Sequence, residues 1–120
     1  MALSMTVFDE EAMLKRLMGD VEHAVDLVGL YQQHGPELVQ AVCRSATNGD
    51  MAGLAGAAHK LQGATSHVHG ECLKQVAGQL ECLARANHQL EAVALLQDLE
   101  HAWRELHDAL GAFLQSPPLC

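Results

Sequence analysis

With 120 residues, the chain is long enough for one domain with a single modest core and too short for two. It is 49% hydrophobic but only 3% aromatic and holds just 3 prolines, a composition suited to helices packed through aliphatic side chains. A formal charge of -8, from 7 Lys and Arg against 15 Asp and Glu, opposes nonspecific binding to nucleic acid or to an anionic membrane and leaves a protein as the expected partner.

Cys43, Cys72, Cys82 and Cys120 show no CxxC pairing, so they read as reduced thiols, which implies a cytoplasmic setting. No apolar run approaches the ~18 residues of a membrane span, and the start lacks the basic-then-apolar order of a signal peptide. Residues 1–7 read as a linker or expression remnant, 8–115 as the domain and 116–120 as a tail.

The first predicted helix is short, from Phe8 to Met18, with Asp9, Glu10 and Glu11 at its positive end, Met13, Leu14 and Leu17 on one face and Gly19 as its stop. Asp20 can cap a long second helix whose apolar positions (Val21, Ala24, Val25, Val28, Tyr31, Leu38, Val39, Val42) continue to about Thr47. Gly35-Pro36 interrupts it. Because the apolar face resumes beyond the proline, one kinked helix is preferred to two. Asn48-Gly49-Asp50 combines a stop with a new cap. The third helix runs from there to about Val68, where His67-Val68-His69-Gly70 supplies the next stop. A fourth, from about Glu71 to Ala86, buries Leu73, Val76, Ala77, Leu80 and Leu83 or Ala84. After the turn at Asn87-His88, the last helix runs from about Leu90 to Leu114, with Leu96, Leu99, Trp103, Leu106, Leu110 and Phe113 at core spacing, until Ser116-Pro117-Pro118 stops it. Four long amphipathic helices with short turns predict an all-α fold, an antiparallel up-down-up-down four-helix bundle with a short extra N-terminal helix.

Chemistry is concentrated on the third helix. At about 100° per residue, Leu54, Ala58, Leu61, Thr65 and Val68 share a narrow arc, while His59 lies well off it. Ala52, Ala55, Gly56, Gln62, Gly63 and Ser66 surround it on the outer face, nearly all small and none acidic. The imidazole is therefore expected to stand exposed on a bare patch. Each glycine costs a helix interior about 1 kcal/mol relative to Ala, so Gly56 and Gly63 on the His59 side argue for clearance. His67, His69 and Cys72 suggest a metal site only weakly, because no second pair of ligands at helical spacing completes a set of four.

The run Ala58-His59-Lys60-Leu61-Gln62-Gly63-Ala64-Thr65-Ser66, followed by Leu73, Ala77 and Leu80-Glu81 in register, resembles the signature of histidine-containing phosphotransfer (HPt) domains. Phe8-Asp9, Leu17-x-Gly19-Asp20, Pro36 with Leu38, and Gly49-Asp50 resemble the order in HPt modules at the C-terminal end of bacterial hybrid sensor kinases, so the likeness extends over residues 8–114. It implies that His59 accepts a phosphoryl group from an aspartyl phosphate on one receiver domain and passes it to another, within a phosphorelay, and that the chain is a carrier rather than an enzyme. The implied partners are receiver domains of response regulators or of a hybrid kinase, which bring the Mg²⁺. No cofactor, nucleic acid or direct membrane contact is expected. A monomer is expected, free-standing or as the C-terminal domain of a membrane-anchored kinase.

Gln62, Gly63, Lys60, Ser66, Gly56 and Glu81 are the candidate supports of the phosphoryl site, and Leu17, Met18 and Val21 the candidate docking residues. Two positions depart from the family pattern. Gln62 stands where many members have lysine, and can donate a hydrogen bond to a phosphoryl oxygen but not neutralise it. His69 stands where a glycine is usual, so either the third helix ends one residue later or His69 adopts the left-handed conformation. The rival reading is an HPt-like adaptor that docks receivers without carrying phosphate.

Overall fold

The computed structural model describes residues 6–118. Most of the expected N-terminal linker, residues 1–5, and the end of the tail with Cys120 lie outside the described residues. Five helices follow in order: α1 (Glu10–Arg16), α2 (Val21–Thr47), α3 (Met51–His67), α4 (Glu71–Arg85) and α5 (Gln89–Gln115). Among the described residues there is no strand. Among these residues, too, no helix is long and apolar enough to cross a membrane.

Three aspartates start three of these helices by the same device. The Oδ1 atoms of Asp9, Asp20 and Asp50 accept from the backbone N–H groups of Ala12, His23 and Gly53 at 3.0, 3.0 and 2.9 Å, each satisfying one of the donors that a helix N-terminus leaves unpaired. Asp9 capping displaces Phe8 from α1, which is shorter than expected. Phe8 instead meets Phe113 of α5 edge-on, with ring centroids 5.9 Å apart. The stops use left-handed backbone at Met18, Gly19, Gly49, His69 and Asn87. Of the two endings open at His69, the chain takes the left-handed one, with φ 57°. Gly70 is then free for another task. A Cβ there would sit 2.6 Å from Leu106 Cδ2 and 3.0 Å from Thr65 Cγ2, so its absence lets the α3–α4 turn close onto α5.

Helix α2 is continuous through Pro36. Its preceding residue explains the sequence there in terms that periodicity does not supply: Gly35 is buried beneath the Trp103 indole, which occupies the space a Cβ would need. Trp103, expected in the core, is only half-buried and lies between Tyr31 and His107, at 5.9 and 5.4 Å between ring centroids. Val21, Val25, Leu38, Val76 and Leu96 are likewise half-buried at the margin of a core led by Leu54, Leu61, Leu73, Leu80, Leu99, Leu106 and Leu110. Helix α2 packs on α3, α3 on α4, α4 on α5, and α5 returns to α2.

A polar bond crosses this apolar interior. Thr65, fully buried, shares a 2.7 Å hydrogen bond with the Tyr31 hydroxyl and ties α2 to α3. Burial pushes the Tyr31 phenol up to about 12 from its ordinary 10.0, against the smaller opposing effect of the Thr65 bond. Thr65→Val strands the hydroxyl and is expected to cost about 1–3 kcal/mol, seen as a lower thermal midpoint. Because the folded state holds the Tyr31 proton more tightly than the unfolded chain, stability is expected to fall as pH rises from 10.0 through about 12. In Tyr31→Phe that alkaline loss diminishes, which denaturation at a series of alkaline pH values measures. Gly35→Ala sets a helix-propensity gain of about 1 kcal/mol against an overpacking cost of about 1–3 kcal/mol under the indole. The expected result is net destabilisation, reversed to net stabilisation when Trp103 is also replaced by leucine.

Candidate functional site

His59 lies halfway along α3. The arc beneath it, Leu54, Ala58, Leu61 and Thr65, with the cap Val68, has no exposed surface, whereas the imidazole is 71% exposed. Ala55, expected on the outer face, is instead buried. It stands one turn before His59, on the side of α3 where Gln62 lies towards α4. The same packing brings Glu81 of α4 to the imidazole, so the patch that looks bare on α3 alone carries a carboxylate from its neighbour.

Both Glu81 carboxyl oxygens lie 3.3 Å from His59 Nδ1. One turn further along α4, Arg85 grips Oε2 through Nε at 3.0 Å and Nη2 at 2.6 Å. The Arg85 guanidinium holds the Glu81 carboxyl below the usual carboxylate range; partial burial opposes this, and the His59 bond adds to the lowering. An ionised carboxylate can only accept. With neutral His59, the proton therefore belongs on Nδ1, leaving the Nε2 lone pair free and directed away from the protein partner. An exposed imidazole with an oriented tautomer is suited to nucleophilic attack on an external electrophile.

The other candidate supports divide between two flanks. Gly56 and Gly63 are exposed, and a Cβ at either would meet nothing within 4 Å, so the protein's own packing does not require them to be glycine. Gln62 is half-buried and lies towards α4, where its Nε2 would be 3.0 Å from a Cβ on Gly78. It borders a groove of about 770 Å³ with Lys74, Gly78, Cys82, Leu83 and Leu95. The Ser66 hydroxyl donates to Gly63 O at 2.7 Å within its own helix. Lys60 is exposed on the opposite flank and faces α2. Among the described residues, no group of three or more His, Cys, Asp or Glu side chains converges as a metal site.

The candidate docking residues lie elsewhere. Met18 is 94% exposed at the left-handed turn after α1, and Leu17 and Val21 beside it are half-buried. Counting along the helices from the Tyr31–Thr65 bond puts Val21 about 24 Å from His59 along the bundle axis. Two residues that bear on the site go unnoticed in the sequence. Arg85 was legible as the i+4 partner of Glu81; Gly78 had no such signal, because its role depends on Gln62 lying across it.

The family model described as "Hpt domain" matches residues 26–114. The chain belongs to the Hpt family. The match begins within α2, so α1 and the candidate docking residues lie outside it, while His59, Gln62, Glu81 and Arg85 lie inside. The crystal structure of histidine-containing phosphotransfer protein B (HptB) from Pseudomonas aeruginosa PAO1 has the same fold as this Hpt chain, with a TM-score of 0.85 and 18% identity over 96% of this chain and 100% of that one. None of the curated proteins matches the sequence.

Two spectroscopic results are expected from the Hpt site. In ¹⁵N imidazole spectra at alkaline pH, His59 is expected as the Nδ1–H tautomer, moving towards Nε2–H in Glu81→Ala. In Arg85→Ala the Glu81 carboxyl is expected to titrate higher, towards the ordinary range, because the largest cause of its lowering is gone.

Proposed function

We propose that this chain is a phosphocarrier, not an enzyme in its own right, in which His59 takes a phosphoryl group from the aspartyl phosphate of one receiver domain and gives it to a response regulator. Family membership supports a histidine phosphotransfer role in a phosphorelay. The observation that carries the residue assignment is the exposed His59 ring with Glu81 at Nδ1 and Nε2 unencumbered. We read the four long helices as an antiparallel up-down-up-down bundle with α1 as the extra N-terminal helix.

In the forward step, Nε2 forms a bond to phosphorus as the bond from phosphorus to the aspartyl oxygen breaks, and the aspartate leaves as a carboxylate. Transfer of this kind depends on positioning and charge neutralisation. The ring gains positive charge, which Glu81 stabilises through the Nδ1–H bond, and Arg85 keeps that carboxylate ionised. Gly56 and Gly63 leave room for the partner, and Gln62 offers an amide donor. Mg²⁺ comes with the receiver, so this chain holds no cofactor of its own. The second step is the reverse, towards another receiver. A monomer acting in the cytoplasm, as a free protein or a kinase domain, fits this role.

Incubation with a phosphorylated receiver domain is expected to place an acid-labile, base-stable label on the wild type and none on His59→Gln. Label retained by that variant would overturn the assignment to His59, and label absent from the wild type while the receiver still binds would support the adaptor reading instead. Glu81→Ala is expected to slow labelling about tenfold. Gln62→Lys is expected to lengthen the phosphohistidine half-life about two- to fivefold, since a cation replaces a neutral donor.

A further inference from the structure

On the flank of α3 away from Glu81, a groove of about 450 Å³ runs between α2 and α3, lined by His34, Glu37, Leu38, Arg44 and Lys60 among others. Its charge is opposite to that of the molecule. The chain carries -8 with only 7 Lys and Arg, yet Arg44, Lys60 and the titratable His34 face the groove against the single carboxylate of Glu37. Arg85 is committed to Glu81, and Arg16 donates to His67 O. Among the described residues no ion pair engages Arg44 or Lys60. Both are exposed. From His34 to Arg44 the groove follows α2 for about 15 Å, and Lys60 adjoins His59 in the chain.

We propose that this groove receives an acidic segment of the receiver domain, two or more Asp or Glu side chains spaced along about 15 Å, and so sets which receivers dock and in what orientation. The inference rests on the phosphocarrier reading for the partner's identity. Its physical basis is charge complementarity and continuity with the His59 face. A strongly acidic chain repels an acidic partner at long range, so a local row of unpaired cations beside the reactive ring favours the one orientation that brings the partner's phosphoryl group to Nε2. Arg44 tests this most cleanly. By the helix register it lies about 10 Å along the axis from the level of His59, away from the transferring group.

The test measures Kd by calorimetry between the full chain and an isolated receiver domain that binds the wild type, at two salt concentrations. Arg44→Glu and Lys60→Glu are each expected to raise Kd about tenfold, whereas Arg104→Glu, the same charge change on the exposed face of α5, is expected to stay within about twofold. Raising salt from about 0.05 to 0.5 M is expected to weaken the wild type and to have little effect on the double variant. Labelling of His59 by phosphoramidate, which needs no receiver, is expected to be unchanged in Arg44→Glu. Equal shifts from Arg44→Glu and Arg104→Glu, or an undiminished salt dependence in the double variant, would overturn the proposal. If His59 takes no phosphate from the receiver while the Kd pattern holds, the phosphocarrier reading falls and the acidic docking groove stands.

Discussion

The close packing of α4 against one flank of α3 is the contact on which the site depends. Ala55 is buried on the side of α3 that also carries Gln62 and His59. The approach brings Glu81 to 3.3 Å from the His59 ring while the opposite edge of the imidazole stays in solvent. A surface histidine without such a neighbour would distribute its proton between two nitrogens; here an acceptor held ionised by Arg85 selects one. The tautomer of the exposed ring is set by a helix that does not carry it.

The second constraint is axial. The bond between Tyr31 and Thr65 lies in the core, where an unmatched hydroxyl is costly, so α2 and α3 are held in one register. That register sets which residues of α2 stand beside His59, and they are those near Glu37 and Leu38 rather than the start of the helix. It also brings Arg44, Lys60 and His34 into one groove. The core thus arranges the surface: a buried polar pair decides which basic side chains share the groove on this flank of α3. The two flanks of α3 then differ in kind, with a compensated carboxylate on one and uncompensated cations on the other.

The sequence was most informative where the chain is locally periodic or punctuated. Capping aspartates and left-handed stops put the ends of α2, α3 and α4 within a residue or two of their observed positions, because a cap is a contact between residues three apart. The α3 arc was legible for the same reason, and with it the exposure of His59. Glycines were legible only as anomalies. Gly56 and Gly63 meet no part of the protein, whereas Gly35 and Gly70 lie under Trp103 and Leu106, and nothing local distinguishes the two kinds.

By itself, then, the sequence determined an all-helical chain, the helix that carries His59 and the face on which it lies, since these follow from spacing within one helix. Only the tertiary structure decided that Ala55 is covered, that Trp103 is half-open, that Glu81 meets the ring and Lys60 turns to the other flank. Those are relations between helices, set by how closely two backbones approach and in what register. Periodicity along one helix specifies a face; it does not specify which residue of another helix will meet it.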